Sequence, residues 1–395
     1  MWQQQKSALP FDIIEPILSR LPVKSLLRFK TVSKSWNKMI SDPVFARTHL
    51  DRSKYSNPHN IFLRMSSFGS RCDDELFYMI KLEDDKKRLR TVKLLNGPDE
   101  RWDKILCYCD GVLLLTDFWY STFVLWNPST GTHTMFRSDR GFSGSRYGLC
   151  HDPTIGGYKV VIIDSTITDY YYVFSANYRY RMKRKEFDRL DQTGREMNCS
   201  QVMNRSGVSV DGVVYFFTRC NNDSDIIYFD PRDDKLKILP KPVGVEGYNW
   251  FYLTYLGGCL CLYRTGGEDF TMIELWIKEK GRDNNSWKVL ITVENERMLC
   301  SSIMDFDALC FVENKVLVQL GLSRLLLYGS CGKKFEEIEL EEEFGRYGTI
   351  SYRDNILVPY IDSLFYPGKR IGGKKKKYGK KTGGKKFGKK NGSKR

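Results

Sequence analysis

The chain has 395 residues, enough for two or three domains rather than one core. Its formal charge of +15 is concentrated at one end: residues 369–395 carry 14 Lys or Arg and no acid, which leaves +1 for everything before them. No apolar run reaches the ~18 residues of a membrane helix, and the opening MWQQQKSALPFD lacks the apolar stretch of a signal peptide, so neither membrane nor secretion is expected.

Residues 12–21, DIIEPILSRL, place Ile13, Ile14, Ile17, Leu18 and Leu21 along a helical stripe. Asp12 followed by Glu15 has the form of a capping box, Pro16 is awkward inside the helix, and Pro22 ends it. VKSLLRFKTV gives a second short helix with Leu26, Leu27 and Phe29. Ser33 can cap a third, KSWNKMI, and Asp42-Pro43 starts a fourth that runs through His49. A module of about 40 residues rarely folds unaided. This one carries more large apolar side chains than its helices can cover, each worth ~1.5–3 kcal/mol on burial. Either a partner covers the excess, or the second domain of the chain does; the pattern alone leaves both open.

Residues 51–365 hold short β-rich runs between Gly, Asn, Asp and Pro, among them GVLLLTD, TFVLWNP, YKVVIID, GVVYFFT, GCLCLY and KVLVQL. Gly111, Gly157, Gly212, Gly258 and Lys315 each introduce an apolar strand, at separations of 46, 55, 46 and 57 residues. Several units close on an aromatic residue and a turn, as in Trp126-Asn127-Pro128 and Phe229-Asp230-Pro231. Periods near 40–50 residues are those of propeller blades, with a long-looped sandwich as the alternative. In a ring, the last strands would complete the first blade and leave no open edge.

Signs of catalysis are missing. There is no G-x-S-x-G or H-E-x-x-H, and GKKKKYGKKTGG (373–384) departs from a phosphate loop in both spacing and Ser/Thr position. Eleven Cys fall mostly inside apolar runs and suit reduced thiols. With four His and no C-x-x-C, the pairs Cys107/Cys109 and Cys259/Cys261 read as strand packing rather than a metal site. No enzyme activity, cofactor or metal is expected. EEIELEEE (336–343) reads as an exposed acidic face that could attract the basic tail. From 366 onward, composition predicts a disordered Lys/Gly-rich tail. Its tetrad Lys374, Lys375, Lys376 and Lys377 is a nuclear-import candidate or a nucleic-acid patch.

The run LPFDIIEPILSRLPVKSLLRFKTVSKSWNKMISDPVFARTHL resembles the F-box of plant F-box proteins almost end to end. Four further motifs resemble, in order, the F-box-associated domain of the same proteins: YCDGVLLL…LWNPSTGTHTMF, YGLCHDPTIGGYKVVII, VSVDGVVYFF…DIIYFDPRDDKLKILPKP and YLGGCLCLY…IELWIKEKGRDNNSWKVLITV. Gly156-Gly157 and Gly257-Gly258 are similar to kelch repeats. The fold class so implied is α+β multidomain: a small all-α F-box (1–50), a mainly all-β, propeller-like domain (51–365) and the disordered basic tail (366–395). The resemblance also implies a Skp-type adaptor as partner and, through it, a cullin and a RING protein of a ubiquitin ligase. The residues that would contact the adaptor, or hold the contact face, are Leu9, Pro10, Ile14, Leu18, Leu21, Pro22, Leu26, Leu27, Val32, Ser33 and Trp36. The β domain would receive a protein substrate. The alternative is a nuclear, nucleic-acid-associated protein working through its tail. Location follows as nucleus or cytoplasm, with the nucleus favoured by the tetrad.

Overall fold

The computed structural model describes residues 10–56, 60–65, 76–83, 88–94, 102, 104–164, 170–175, 182–187, 206–220, 223–242, 250–266, 272–279, 286–294, 306–312, 314–320, 324–329, 334–340 and 357–367. Leu9 and the tail from 368, with Lys374 to Lys377, lie outside them.

Four helices open the chain: α1 (Phe11–Leu18), α2 (Val23–Phe29), α3 (Lys34–Ile40) and α4 (Pro43–Ser56). Ser33 caps α3, its Oγ accepting from Trp36 N at 3.1 Å, and Asp42 Oδ1 accepts from Val44 N at 2.8 Å. The capping box expected at Asp12 does not form. Pro10 holds the N-cap, and its carbonyl accepts from the N–H groups of Ile13 and Ile14. Asp12 instead sits in the first turn, where its charge favours the helix dipole. Pro16 lies inside α1 and removes one backbone donor, and the helix ends two residues later, before Pro22. Pro22 is the N-cap of α2 instead. The last helix is longer than expected and carries the helical module past residue 50, to Ser56.

The β domain starts with β1 (Asn60–Met65), β2 (Leu76–Glu83) and β3 (Arg88–Leu94). Next come β4 (Lys104–Cys109), β5 (Val112–Thr116), β6 (Thr122–Asn127) and β7 (Thr132–Arg137), then β8 (Arg146–Asp152), β9 (Gly157–Ile163), β10 (Tyr170–Ser175) and β11 (Met182–Glu186). A third group is β12 (Val208–Val210), β13 (Val213–Cys220), β14 (Asp223–Asp230) and β15 (Lys235–Leu239), and a fourth β16 (Trp250–Leu256), β17 (Cys259–Gly266), β18 (Met272–Lys278) and β19 (Trp287–Glu294). The chain finishes with β20 (Phe306–Val312), β21 (Lys315–Leu320), β22 (Arg324–Gly329), β23 (Lys334–Leu340) and β24 (Leu357–Tyr360).

Hydrogen bonding joins the strands into five sheets, four of them four-stranded and one eight-stranded. The largest consists of two antiparallel four-stranded halves, met by a short parallel bridge at Glu339↔Arg88 and Leu340↔Leu89. One half has the order β24-β1-β2-β3, so the end of the chain supplies the innermost strand of the first unit, Tyr360 lying opposite Asn60. Successive inner strands pack side by side around the ring. Cys107 and Cys109 of β4 share a core with Tyr147 and Leu149 of β8. Val210 of β12 meets Phe251 of β16, and Leu256 meets Phe306 and Ala308 of β20. The circuit closes where Val358 and Tyr360 pack on Ile105, Leu113 and Trp126. This is the propeller expected from the spacing, and every inner edge is covered.

The periodic glycines have a physical cause. Asp110-Gly111, Asp211-Gly212 and Gly257-Gly258 are two-residue hairpin turns in which both residues have positive φ, at 50° and 77°, 49° and 81°, and 55° and 84°. Type I′ turns require that geometry, and Gly adopts it without strain. They are the first hairpins of three of the units, joining β4 to β5, β12 to β13 and β16 to β17, whereas β8 and β9 are joined by a longer turn over 153–156 that ends on Gly156 at φ 61°. Strands in the middle of their sheets, such as β5, β6 and β9, are buried at every position between neighbouring sheets, which is why they read as largely apolar runs. The strand β11, MKRKE, lies on an outer edge and is mostly exposed.

Candidate protein-interaction surfaces

Antiparallel order puts the β4–β5 and β6–β7 turns on one rim of the ring and the β5–β6 and β7–β8 links on the other. The helical module is seated on the first rim. Asp110 holds it there, with Oδ2 2.9 Å from Arg47 Nη1 and Oδ1 3.0 Å from Lys54 Nζ, both on α4. Burial, the largest single influence, would lower the pKa of Lys54, but the charge and hydrogen bond of Asp110 together with nearby Tyr255 offset it and the net direction is upward. Leu50 enters the propeller core beside Cys109 and Leu114.

Residues 361–367 form a strap between the two parts. Leu364 is buried among Leu18, Val23, Leu26, Ile40, Phe45 and Ala46 of the helical module. Its neighbour Phe365 is buried in the propeller core and tilts against His151 at 4.9 Å. The Asn127 amide donates to the carbonyls of Ser363 (3.0 Å) and Phe365 (2.8 Å), and Ser129 Oγ donates to Asp362 Oδ1 at 2.7 Å. A Cβ on Gly111 would stand 2.5 Å from the Ile361 carbonyl oxygen, so this turn needs Gly for close approach as well as for its φ.

With one side committed to the rim, the module still leaves apolar side chains in water: Ile13 and Ile17 on α1 are 50% and 51% exposed, and Val32 after α2 is 62% exposed. Ile13 and Ile17 are four residues apart and share a face of α1. Of the residues expected to contact an adaptor, Pro10, Pro22 and Val32 are exposed. Ile14, Leu21, Leu27 and Trp36 are half-buried against the module core, Trp36 edge-on to Phe29 at 5.5 Å. Leu18 and Leu26 are buried and support the surface from within, while Ser33 caps α3. Ile13 and Ile17 were not among the expected contacts. The helical stripe contained them, but its doublets split: Ile14 and Leu18 turn into the core and Ile13 and Ile17 turn out.

A small helical module with exposed apolar side chains is thus seated on one rim of a closed propeller. The F-box domain model matches residues 7–48, and the F-box associated beta propeller domain model matches residues 70–366. The chain belongs to the F-box proteins with an F-box associated beta propeller domain. It is 24% identical to the F-box protein At4g19940 of Arabidopsis thaliana, over 86% of this chain and 87% of that protein. To the F-box/kelch-repeat protein At3g23880 of the same plant it is 26% identical, over 83% of this chain and 89% of that protein.

Proposed function

We propose that the protein is the substrate-recognition subunit of an SCF-type cullin–RING ubiquitin ligase. The F-box binds a Skp-type adaptor, and through it the cullin and RING protein; the propeller holds a protein substrate. The observation that carries this reading is the exposed apolar set Ile13, Ile17 and Val32 on a module whose other side is already fixed. Ubiquitin transfer belongs to the recruited enzyme, and this chain contributes position, which converts a chance encounter into a held one. The rigid seating of the F-box serves that role, because a substrate on the propeller keeps a fixed distance from the adaptor.

The test is co-purification with a Skp-type adaptor. Ile17→Asp with Val32→Asp places a charge at two exposed apolar positions without touching the module core. At ~2 kcal/mol for each central contact, affinity falls about a thousandfold while the melting temperature is unchanged. Wild-type affinity in the double variant would sink the reading. The basic tail is assigned to nuclear import: Lys374 to Lys377 changed together to Ala shift the protein to the cytoplasm, read by fluorescence microscopy of a tagged chain.

A further inference from the structure

The rim opposite the F-box carries the most exposed aromatic pair among the described residues. Phe118 and Trp119, in the β5–β6 turn, are 67% and 73% exposed, edge to face with ring centroids 5.2 Å apart. Large apolar side chains gain most by burial, and a pair held open to water marks a contact surface. The turn beneath them is fixed. Asp117 Oδ1 accepts from the N–H groups of Ser121 (2.9 Å) and Thr122 (3.2 Å), and the Asp117 carbonyl accepts from Tyr120 N at 3.1 Å. Tyr120 takes a positive φ of 53°, stacks on Tyr147 and lies under Lys104 Nζ at 5.2 Å. Its carbonyl accepts from Phe142 N of the β7–β8 link at 3.1 Å. In that link a Cβ on Gly141 would come within 2.6 Å of the Trp119 carbonyl oxygen, so the two loops are in direct contact. A pre-ordered turn loses little entropy when its aromatics are covered.

Charge indicates what covers them. Among the described residues Lys104, Arg137, Arg146 and Lys185 stand at this end of the two sheets, against Asp117, Asp139 and Glu186, while Arg140 and Asp164 pair with each other. Asp117 is engaged by its own turn. We infer that Phe118 and Trp119 form the anchor of the substrate-binding surface, taking a protein segment with an apolar side chain flanked by Asp or Glu. This rests on the substrate-receptor reading above and adds the site and the chemistry of what it recognises. The F-box and strap occupy the other rim, so this is the rim open to a substrate. A second copy of the chain would bring the four cations against themselves. Nucleic acid is the weaker fit, because bases stack in parallel on ring faces and an edge-to-face pair presents one such face.

A random peptide library displayed on phage, selected on the full chain, tests this. The expected outcome is enrichment of a large apolar residue with acidic neighbours. A synthetic peptide of that sequence then binds Phe118→Ala/Trp119→Ala about a hundredfold more weakly and Trp119→Ala about tenfold more weakly. Both variants melt like wild type, since the side chains removed are exposed. Three outcomes overturn the inference: enriched peptides without acids, peptide affinity unaffected by the substitutions, or displacement of the peptide by oligothymidine or by dimerisation of the chain. Adaptor binding is measured separately in each variant; its absence from wild type would strike the ligase reading, while the peptide data still decide this one.

Discussion

A chain truncated after Ile356 fails to melt cooperatively and fails to hold a Skp-type adaptor, whereas a chain truncated after Pro367 melts like the full protein. The first cut removes β24 and the strap together. Without β24 the first unit loses its inner strand, and β1 exposes an unpaired edge at the centre of the ring. Val358 and Tyr360 also leave the core that joins this first unit to β4, β5 and β6. Single substitutions separate the two roles. Leu364→Ala leaves a cavity in the helical module and costs about 2–5 kcal/mol, and it weakens adaptor binding more than it disturbs the propeller. Phe365→Ala costs about 3–5 kcal/mol and strikes the propeller first. Differential scanning calorimetry with adaptor pull-down measures both; an Ile356-truncated chain with a sharp transition would remove the strap from the account.

Lys159→Met lowers the melting temperature by about 10 °C. Lys159 is buried between two sheets, where Nζ lies 2.7 Å from Asp152 Oδ2 and 2.7 Å from Asp234 Oδ1 and donates to the Pro231 carbonyl. Asp234 and Pro231 come from the β14–β15 turn of the next unit, so one ammonium ties two sheets together. Removing it strands two carboxylates at a cost of about 3–5 kcal/mol, at roughly 2–4 °C per kcal/mol. Adding Asp152→Asn and Asp234→Asn to that variant recovers most of the loss, because no buried charge then remains unpaired. The pH dependence has two limbs. Burial pushes the Asp152 carboxyl up, but Lys159 and Thr154 more than offset it and hold it below 3.8. A depressed acid gives stability that is present above its unfolded value and is lost as pH falls through the folded one. Burial pushes Lys159 down, but the two carboxylates raise it above 10.5, so its contribution is complete below that value and fades as pH climbs through the folded pKa. The wild-type melting temperature is therefore flat with respect to this site between about pH 5 and 9. A triad variant that kept the wild-type fall at both extremes would show that the acid and alkaline limbs arise elsewhere.

The mid-sheet strands and their turns were legible because each carries its own signal. A strand buried on both faces is mostly apolar, and an I′ turn favours Gly at its second position. Ser33 and Asp42 were legible as caps for the same local reason. What failed to show in the sequence was long-range or compensated. MKRKE carries no apolar alternation to mark it as a strand, since an outer edge strand can satisfy itself in water. Lys159 lies inside YKVVII, and its partners on the next unit leave no mark in its own neighbourhood. Nothing in the local sequence sets Leu364 and Phe365 apart. Their facing sides, one into the F-box and one into the propeller, depend on Asn127, more than two hundred positions away. At the adaptor surface, resemblance located the segment, and only the packing of α1 distinguished the outward Ile13 and Ile17 from the inward Ile14 and Leu18.

The strap also sets an order of assembly during synthesis. The F-box is translated first, yet Leu364 fills its core from the far end of the chain, and β24 closes the ring only a few residues earlier. A polypeptide still on the ribosome, or one cut short by a premature stop, has neither a finished docking module nor a finished receptor. Under the adaptor role proposed above, incomplete chains would compete poorly for adaptor, and only a molecule whose strap has emerged would occupy it.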